Sequence, residues 1–186
     1  VKAALGWFAG DLCRANWEAG CAVAGPTRAA ELFDQAMRNW GRSKLEGVDG
    51  VARFADLGER MVAGVKPDGL PHYAGWRAMP RTSEPAEHAY QVAALLRELR
   101  GSYHIVAAIA QGLDDVETMI ANPSQGAARA EAFGHHPPYP DGQALRPLFV
   151  AAEAATDKLM VGPWSVLDDA ERTEMVELAD RFAGIA

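Results

Sequence analysis

Between residues 84 and 122 the apolar positions recur at helical spacing. Val92, Leu96, Leu99, Tyr103, Val106, Ala110, Leu113 and Val116 form one row. Leu95, Ile105, Ile109 and the interspersed alanines widen it until the helix is apolar nearly all round. A helix of that kind is buried on several sides. Thr82, Ser83 and Pro85 suit its start, and Glu84 and Glu87 suit the positive end of its dipole. Asn122-Pro123 closes it, because the residue before a proline avoids the helical region. Gly101-Ser102 is the internal turn signal and is compatible with a kink.

The flanking segments read the same way. Residues 1–25 form an Ala- and Gly-rich helix in which Ala3, Trp7 and Phe8 share a face. Gly25-Pro26-Thr27 is a stop and restart. Ala29, Leu32, Phe33, Ala36, Met37 and Trp40 then make a helical stripe that Gly41 ends. After a turn at 47–50, Val51, Phe54, Ala55, Met61, Val62 and Val65 make the next amphipathic helix. Residues 66–81 hold three prolines and two glycines and read as an irregular connection. Its Tyr73 and Trp76 either cap a pocket or, with Met79, pin the loop to the core.

Ser124 caps a short helical segment over 127–133, ended by Gly134. The run HHPPYPDG that follows is a proline-rich turn. Its adjacent His135 and His136 have no ligand partner at helical spacing, so no metal site is expected. A helix over 145–160 accepts Pro147 in its first turn and is broken by Gly162-Pro163. Asp168 and Glu171 pair as a capping box before a last stripe of Met175, Leu178, Ala179 and Phe182. No segment reads as a strand. The predicted fold is therefore all-α, a multi-helix bundle around the long central helix. Residues 1–122 form the bundle, and 123–186 pack on it as one compact unit.

The polar residues on so apolar a helix carry the candidate chemistry. At about 100° per residue, Tyr90, Arg97, Arg100, His104, Gln111 and Asp115 fall in one broad sector. Buried charges require partners. Either other helices supply carboxylates, or the sector lines a cavity for a polar or anionic ligand. Arginine suits the latter because it holds a carboxylate or phosphate through two parallel hydrogen bonds.

Composition narrows the picture. In 186 residues the hydrophobic share is 49%, enough for a substantial core. A net charge of -7 argues against a general nucleic-acid surface. No apolar run reaches the length of a membrane span, so no membrane partner is expected. Cys13 and Cys21 make neither a disulfide framework nor a zinc pattern and read as reduced residues of a cytoplasmic protein. The chain starts at Val1, so residues before it are expected. It carries no Gly-rich phosphate loop, nucleophile elbow or H-E-x-x-H motif, and no cofactor is implied.

At LLRELRGSYHIVAAIAQGLDDVE, residues 95–117, the chain resembles a family of actinobacterial helical proteins filed as helix-turn-helix or SalK-type. Its members carry a segment close to LLREHRGDGHVAALVAAGLDG. Leu95, Leu96, Arg97, Glu98, Arg100, Gly101, His104, Ala107, Ala108, Gly112, Leu113 and Asp114 match. Leu99 stands where the family has His, and Ser102-Tyr103 replaces Asp-Gly, so the ligand is open to difference. EAATDKLMVGPWSVL, residues 153–167, resembles the family's C-terminal segment, which is similar to the end of MarR-type winged-helix proteins. The resemblance spans 76–182, with weaker support at 6–10. It implies a helix-turn-helix and wing, yet the corresponding span 127–146 is short and holds HHPPYPDG. A degenerate or absent winged-helix element follows, and DNA is not the expected partner.

The reading ranked first is a helical protein binding a small polar or anionic molecule, with Arg97, Arg100, His104, Tyr90 and Gln111 at the site and Tyr73 and Trp76 over it. A ligand-responsive MarR-like regulator, which requires a homodimer, comes second. An enzyme using His104 as general acid or base comes third.

Overall fold

The computed structural model describes residues 6–185. Ala3, placed above on the first helix, lies outside them. The described residues form eight helices and no strand. These are α1 (Gly10–Leu45), α2 (Val51–Ala63), α3 (Pro71–Arg77), α4 (Pro85–Ala110), α5 (Asp115–Ala121), α6 (Gly126–Ala132), α7 (Gly142–Trp164) and α8 (Asp169–Ala183). The all-α expectation holds.

The long helix expected over 84–122 is two helices. Gly112 takes a left-handed φ of 82°, which glycine adopts without strain. The Leu113 N–H then bonds back to Ala108 O at 3.0 Å and the Gly112 N–H to Ile109 O at 3.0 Å. That pairing satisfies the last carbonyls of α4 as a Schellman motif does. Asp114 at once starts α5: its Oδ1 accepts from the Glu117 N–H at 2.7 Å, and Glu117 Oε2 accepts from the Asp114 N–H at 3.0 Å. The acidic cluster is thus a capping box. Gly101-Ser102, by contrast, leaves α4 continuous.

Three other boundaries differ from the sequence pattern. Residues 66–81 contain α3, whose Pro71 stands in the first turn, where its missing N–H costs nothing. α1 is broken at Gly25 (φ 70°, ψ 163°), as expected, but runs through Gly41 to Leu45. Gly41 marks a close helix approach there, not an end. α7 runs through Gly162-Pro163, and the Ser165 N–H still reaches Val161 O at 2.9 Å. One lost bond beside a helix end costs less than one in the middle.

The chain divides into two compact units. The first holds Gly101–Leu159 with the described part of Val1–Pro26, and the second holds Thr27–Arg100 with the described part of Met160–Ala186. In the first, Ala107, Ala108, Leu113, Ala121, Phe149 and Ala152 form a buried cluster. Trp7, Leu145 and Ala155 pack against it. The N-terminal strap is held by the Ala9 N–H on Phe133 O at 2.9 Å and by Phe8 stacked on Phe133.

In the second unit Leu45, Phe54, Leu57, Met61, Val92, Leu167, Met175 and Phe182 belong to one core. Each such side chain contributes roughly 1.5–3 kcal/mol by leaving water. α2 and α8 are clamped by charge. Arg60 grips both oxygens of Glu171, and Arg53 adds bonds to Glu171 at 3.3 Å and Glu174 at 3.0 Å.

A polar seam joins α1 to α4. Glu87 is 2% exposed and accepts from Arg42, with Arg38 Nη1 at 3.9 Å. Arg38 Nε also lies 2.8 Å from Asp34. One buried amide completes the seam: Gln91 Nε2 donates to Asp34 at 2.8 Å and to Pro80 O at 3.1 Å, while its Oε1 accepts from the Thr82 N–H at 3.0 Å.

Candidate ligand cavity

The second unit contains an open cavity of about 440 Å³. Its space is created by alanines. Ala89 and Ala93 on α4, and Ala179 and Ala183 on α8, are each four residues apart and so stand on one face of their helix. Larger side chains there would fill the gap. The walls are aromatic: Trp40 from α1, Phe54 from α2, Tyr90 from α4, Trp164 from α7 and Phe182 from α8. Phe54 and Phe182 meet edge to face at 5.2 Å. The inner surface is well shielded, with Leu45, Phe54 and Ala89 at 6%, 4% and 0% exposure. The mouth is not, since Trp40 and Val176 are each 49% exposed.

Two ionised side chains line this cavity among the described residues, Lys44 and Asp180. The Lys44 ammonium lies 5.1 Å from the Trp40 ring centroid, a cation–π arrangement. The volume and the apolar walls with few polar groups match those of small-molecule sites.

A second cavity of about 470 Å³ lies along α1 and the segment before α4, with Asp34, Arg38 and Arg81 on its walls. Its charged groups already answer one another. Asp34 takes Arg38 and Gln91, and Arg81 Nε donates to Glu59 at 2.8 Å.

Of the residues singled out by sequence, Tyr90 lines the aromatic cavity and is half-buried. Arg97 is exposed and bonds Glu98, with Nε 2.8 Å from Oε1. Arg100 is exposed as well. Neither arginine is among the residues lining that cavity. Tyr73 is fully buried on α3. Trp76 is half-buried, edge-on to Phe33 at 5.7 Å. Trp76 therefore packs on α1 within the second unit.

His72 on α3 was not anticipated. Its Nε2 lies 2.8 Å from Glu98 Oε2. Burial pushes the Glu98 pKa up, but hydrogen bonds from His72 and Arg97 outweigh it and hold the carboxyl below its usual range. The Trp76 indole N–H also approaches His72 Nε2, at 3.2 Å.

His104 belongs to the first unit. Its Nδ1 is 3.0 Å from Thr156 Oγ1 and 3.3 Å from Glu153 Oε1. The Thr156 hydroxyl donates to Ala152 O at 2.8 Å, so its oxygen accepts from His104. Trp7 tilts over the imidazole at 5.6 Å and Phe149 meets it edge-on at 5.9 Å. Gln111 lies in the turn after α4, half-buried. Asp115 stands at the start of α5, where its Oδ1 accepts from the Val116 N–H at 3.0 Å. His135 Nε2 donates to Trp7 O at 2.8 Å. Among the described residues no group of three or more His, Cys, Asp or Glu is placed to hold a metal ion. Among the described residues no helix is long and apolar enough to cross a membrane.

Within the first unit, α5 and α6 form two seven-residue helices joined by residues 122–125. Asn122 Oδ1 accepts from both the N–H and hydroxyl of Ser124, which tightens the turn. The segment after α6, residues 133–141, is neither helix nor strand. No wing is present there.

Comparison with known proteins found no match among curated proteins and none among solved structures. One family model matches, over residues 1–137 of the 186. The match starts earlier than the resemblance traced above and leaves out residues 153–167. On that match, the chain belongs to a helix-turn-helix family.

Proposed function

We propose that this chain is a small-molecule-binding member of its helix-turn-helix family, with the ligand in the aromatic cavity of the second unit. One observation carries the reading: an open void of about 440 Å³, walled by five aromatic residues, leaves Trp40 and Val176 half exposed at its mouth. A bound apolar molecule would remove that surface from water at roughly 25 cal/mol per Å². This differs from an anion held by Arg97, Arg100 and His104, because the two arginines are exposed and lie outside the cavity wall.

The test fills the void. Ala93→Phe and, on the opposing helix, Ala179→Phe each place a ring where the ligand would sit. A panel of apolar ring compounds should raise the melting temperature of the parent and fail to raise that of either variant. Equal shifts in parent and variants, or no shift in any, would remove the reading.

A second reading, a DNA-binding regulator, is favoured by the family itself and by the SalK-like motif at residues 95–114. The MarR-like segment at 153–167 adds to it. In this reading α5 and α6 are the DNA-facing pair and the cavity is the effector site. Against it, α6 spans seven residues and has one basic side chain, Arg129, whose guanidinium lies 4.2 Å from the Phe133 ring. A net charge of -7 also opposes approach to phosphates. Selection from a random duplex pool followed by anisotropy titration at physiological salt decides it. Nanomolar, sequence-specific binding establishes the regulator, and its absence leaves the ligand-binding reading alone.

A further inference from the structure

We infer that the ligand of the aromatic cavity is a neutral, flat ring compound of about two or three fused rings, a size that suits the void. The inference rests on that cavity being the ligand site.

Charge decides the class. Lys44 and Asp180, the two ionised side chains on the wall, have opposite signs. Lys44 is half-buried and its ammonium is seated over Trp40, while Asp180 is exposed. An incoming anion would have to draw Lys44 off the ring and would sit close to Asp180. An incoming cation seeking the Trp40 face would find an ammonium already there. Deeper in, Leu45, Phe54, Ala89 and Ala93 offer no polar side chain to partner an ion. A charge moved into such surroundings without a partner is strongly disfavoured. A neutral ring meets none of these penalties. It gains offset-stacked or edge-to-face contacts from Trp164, Tyr90 and Phe182, which exceed the area term alone. Lys44 thus acts as a tethered occupant of the Trp40 face, and selects against charged ligands by holding it.

The experiment uses three probes with one ring system: 2-naphthalenemethanol, 2-naphthoate and (2-naphthylmethyl)trimethylammonium, each titrated calorimetrically into the whole chain. The alcohol should bind about tenfold tighter than either ion. Lys44→Met keeps an unbranched side chain one atom shorter and removes the ammonium from the Trp40 face. It should tighten the ammonium probe by about tenfold. Asp180→Asn removes the negative charge from the wall and should tighten the naphthoate.

The outcomes separate. If naphthoate binds the parent at least as tightly as the alcohol and Lys44→Met abolishes it, Lys44 is an anion anchor and the inference is overturned while the site stands. If the ammonium probe wins in the parent, the inference is likewise overturned. If no probe binds, or Ala93→Phe leaves the alcohol's affinity unchanged, the site reading falls and takes the inference with it. If light scattering finds a dimer that Trp40→Ser dissociates, the mouth is an interface between copies and the small-molecule occupant is excluded.

Discussion

Gly41 on α1 approaches Tyr90 on α4 so closely that an added Cβ would fall 2.6 Å from the Tyr90 Cβ. The same atom would lie 3.1 Å from Ala86 O. Replacing a helical glycine by alanine ordinarily stabilises by roughly 0.5–1 kcal/mol. Gly41→Ala should do the opposite, costing about 1–3 kcal/mol as the helices are forced apart. Gly101 is also helical but has nothing within 4 Å of the added carbon, so Gly101→Ala should show the ordinary gain. Urea unfolding of the two variants checks the contrast, and two changes of the same sign would refute the close approach.

Arg42→Ala leaves the Glu87 carboxylate buried with Arg38 at 3.9 Å. Breaking a buried ion pair costs about 3–5 kcal/mol. Arg38 can move in and relieve part of that, so the single variant should fall below this range and the Arg38→Ala, Arg42→Ala double variant within it. The two changes are then non-additive, which a double-mutant cycle measures. Strict additivity would mean that Arg38 gives Glu87 no support.

Thr156→Val keeps the shape of a fully buried side chain but removes the oxygen that accepts from His104 Nδ1. A buried donor left short of a partner costs about 1–3 kcal/mol. Thermal unfolding should show that loss. A drop of only a few tenths would mean that Glu153, at 3.3 Å, is the operative acceptor.

Glu171 sets an acid limit on the second unit. Hydrogen bonds from Arg60, from the Asp168 N–H and from Arg53 hold its pKa down, to about 2 from the usual 4.5, against opposing desolvation. A depressed carboxylate stabilises fully above its unfolded pKa and loses that contribution as pH falls through the folded value. The window therefore runs from about 4.5 down to about 2. Stability of Glu171→Gln should fall less steeply with acid than that of the parent across this window. Parallel curves would show that the Arg60 clamp does not depend on the carboxylate's charge.

The helices that periodicity revealed are those with one apolar face, such as α2 and α8, and the Asp168–Glu171 cap was readable from four letters. Asp114 and Glu117 have the same spacing, but the apolar row of α4 runs past them through Val116 and hid the Gly112 break. α3 was hidden by its prolines, one of which begins it. Gly41 looked like a terminator because sequence does not show what a missing Cβ makes room for. The cavity was illegible for a related reason. Trp40 and Phe182 read as ordinary core stripe residues, and only packing reveals that the alanines near them leave space. Arg97 and His104 share a helical sector by angle, yet the Arg97 side chain is 72% exposed and that of His104 11%. An angular argument does not know which neighbours stand along the axis.

The Gln91 side chain has a consequence for hydrogen exchange. Thr82 lies outside every helix, and a loop amide normally trades its proton with solvent quickly. Its N–H is instead bonded to Gln91 Oε1 at 3.0 Å, on a side chain only 6% exposed that is itself anchored to Asp34 of α1. Thr82 should therefore exchange at the pace at which α1 separates from α4, and Gln91→Ala should release it. A single loop amide then serves as a spectroscopic gauge of how often that helix pair opens.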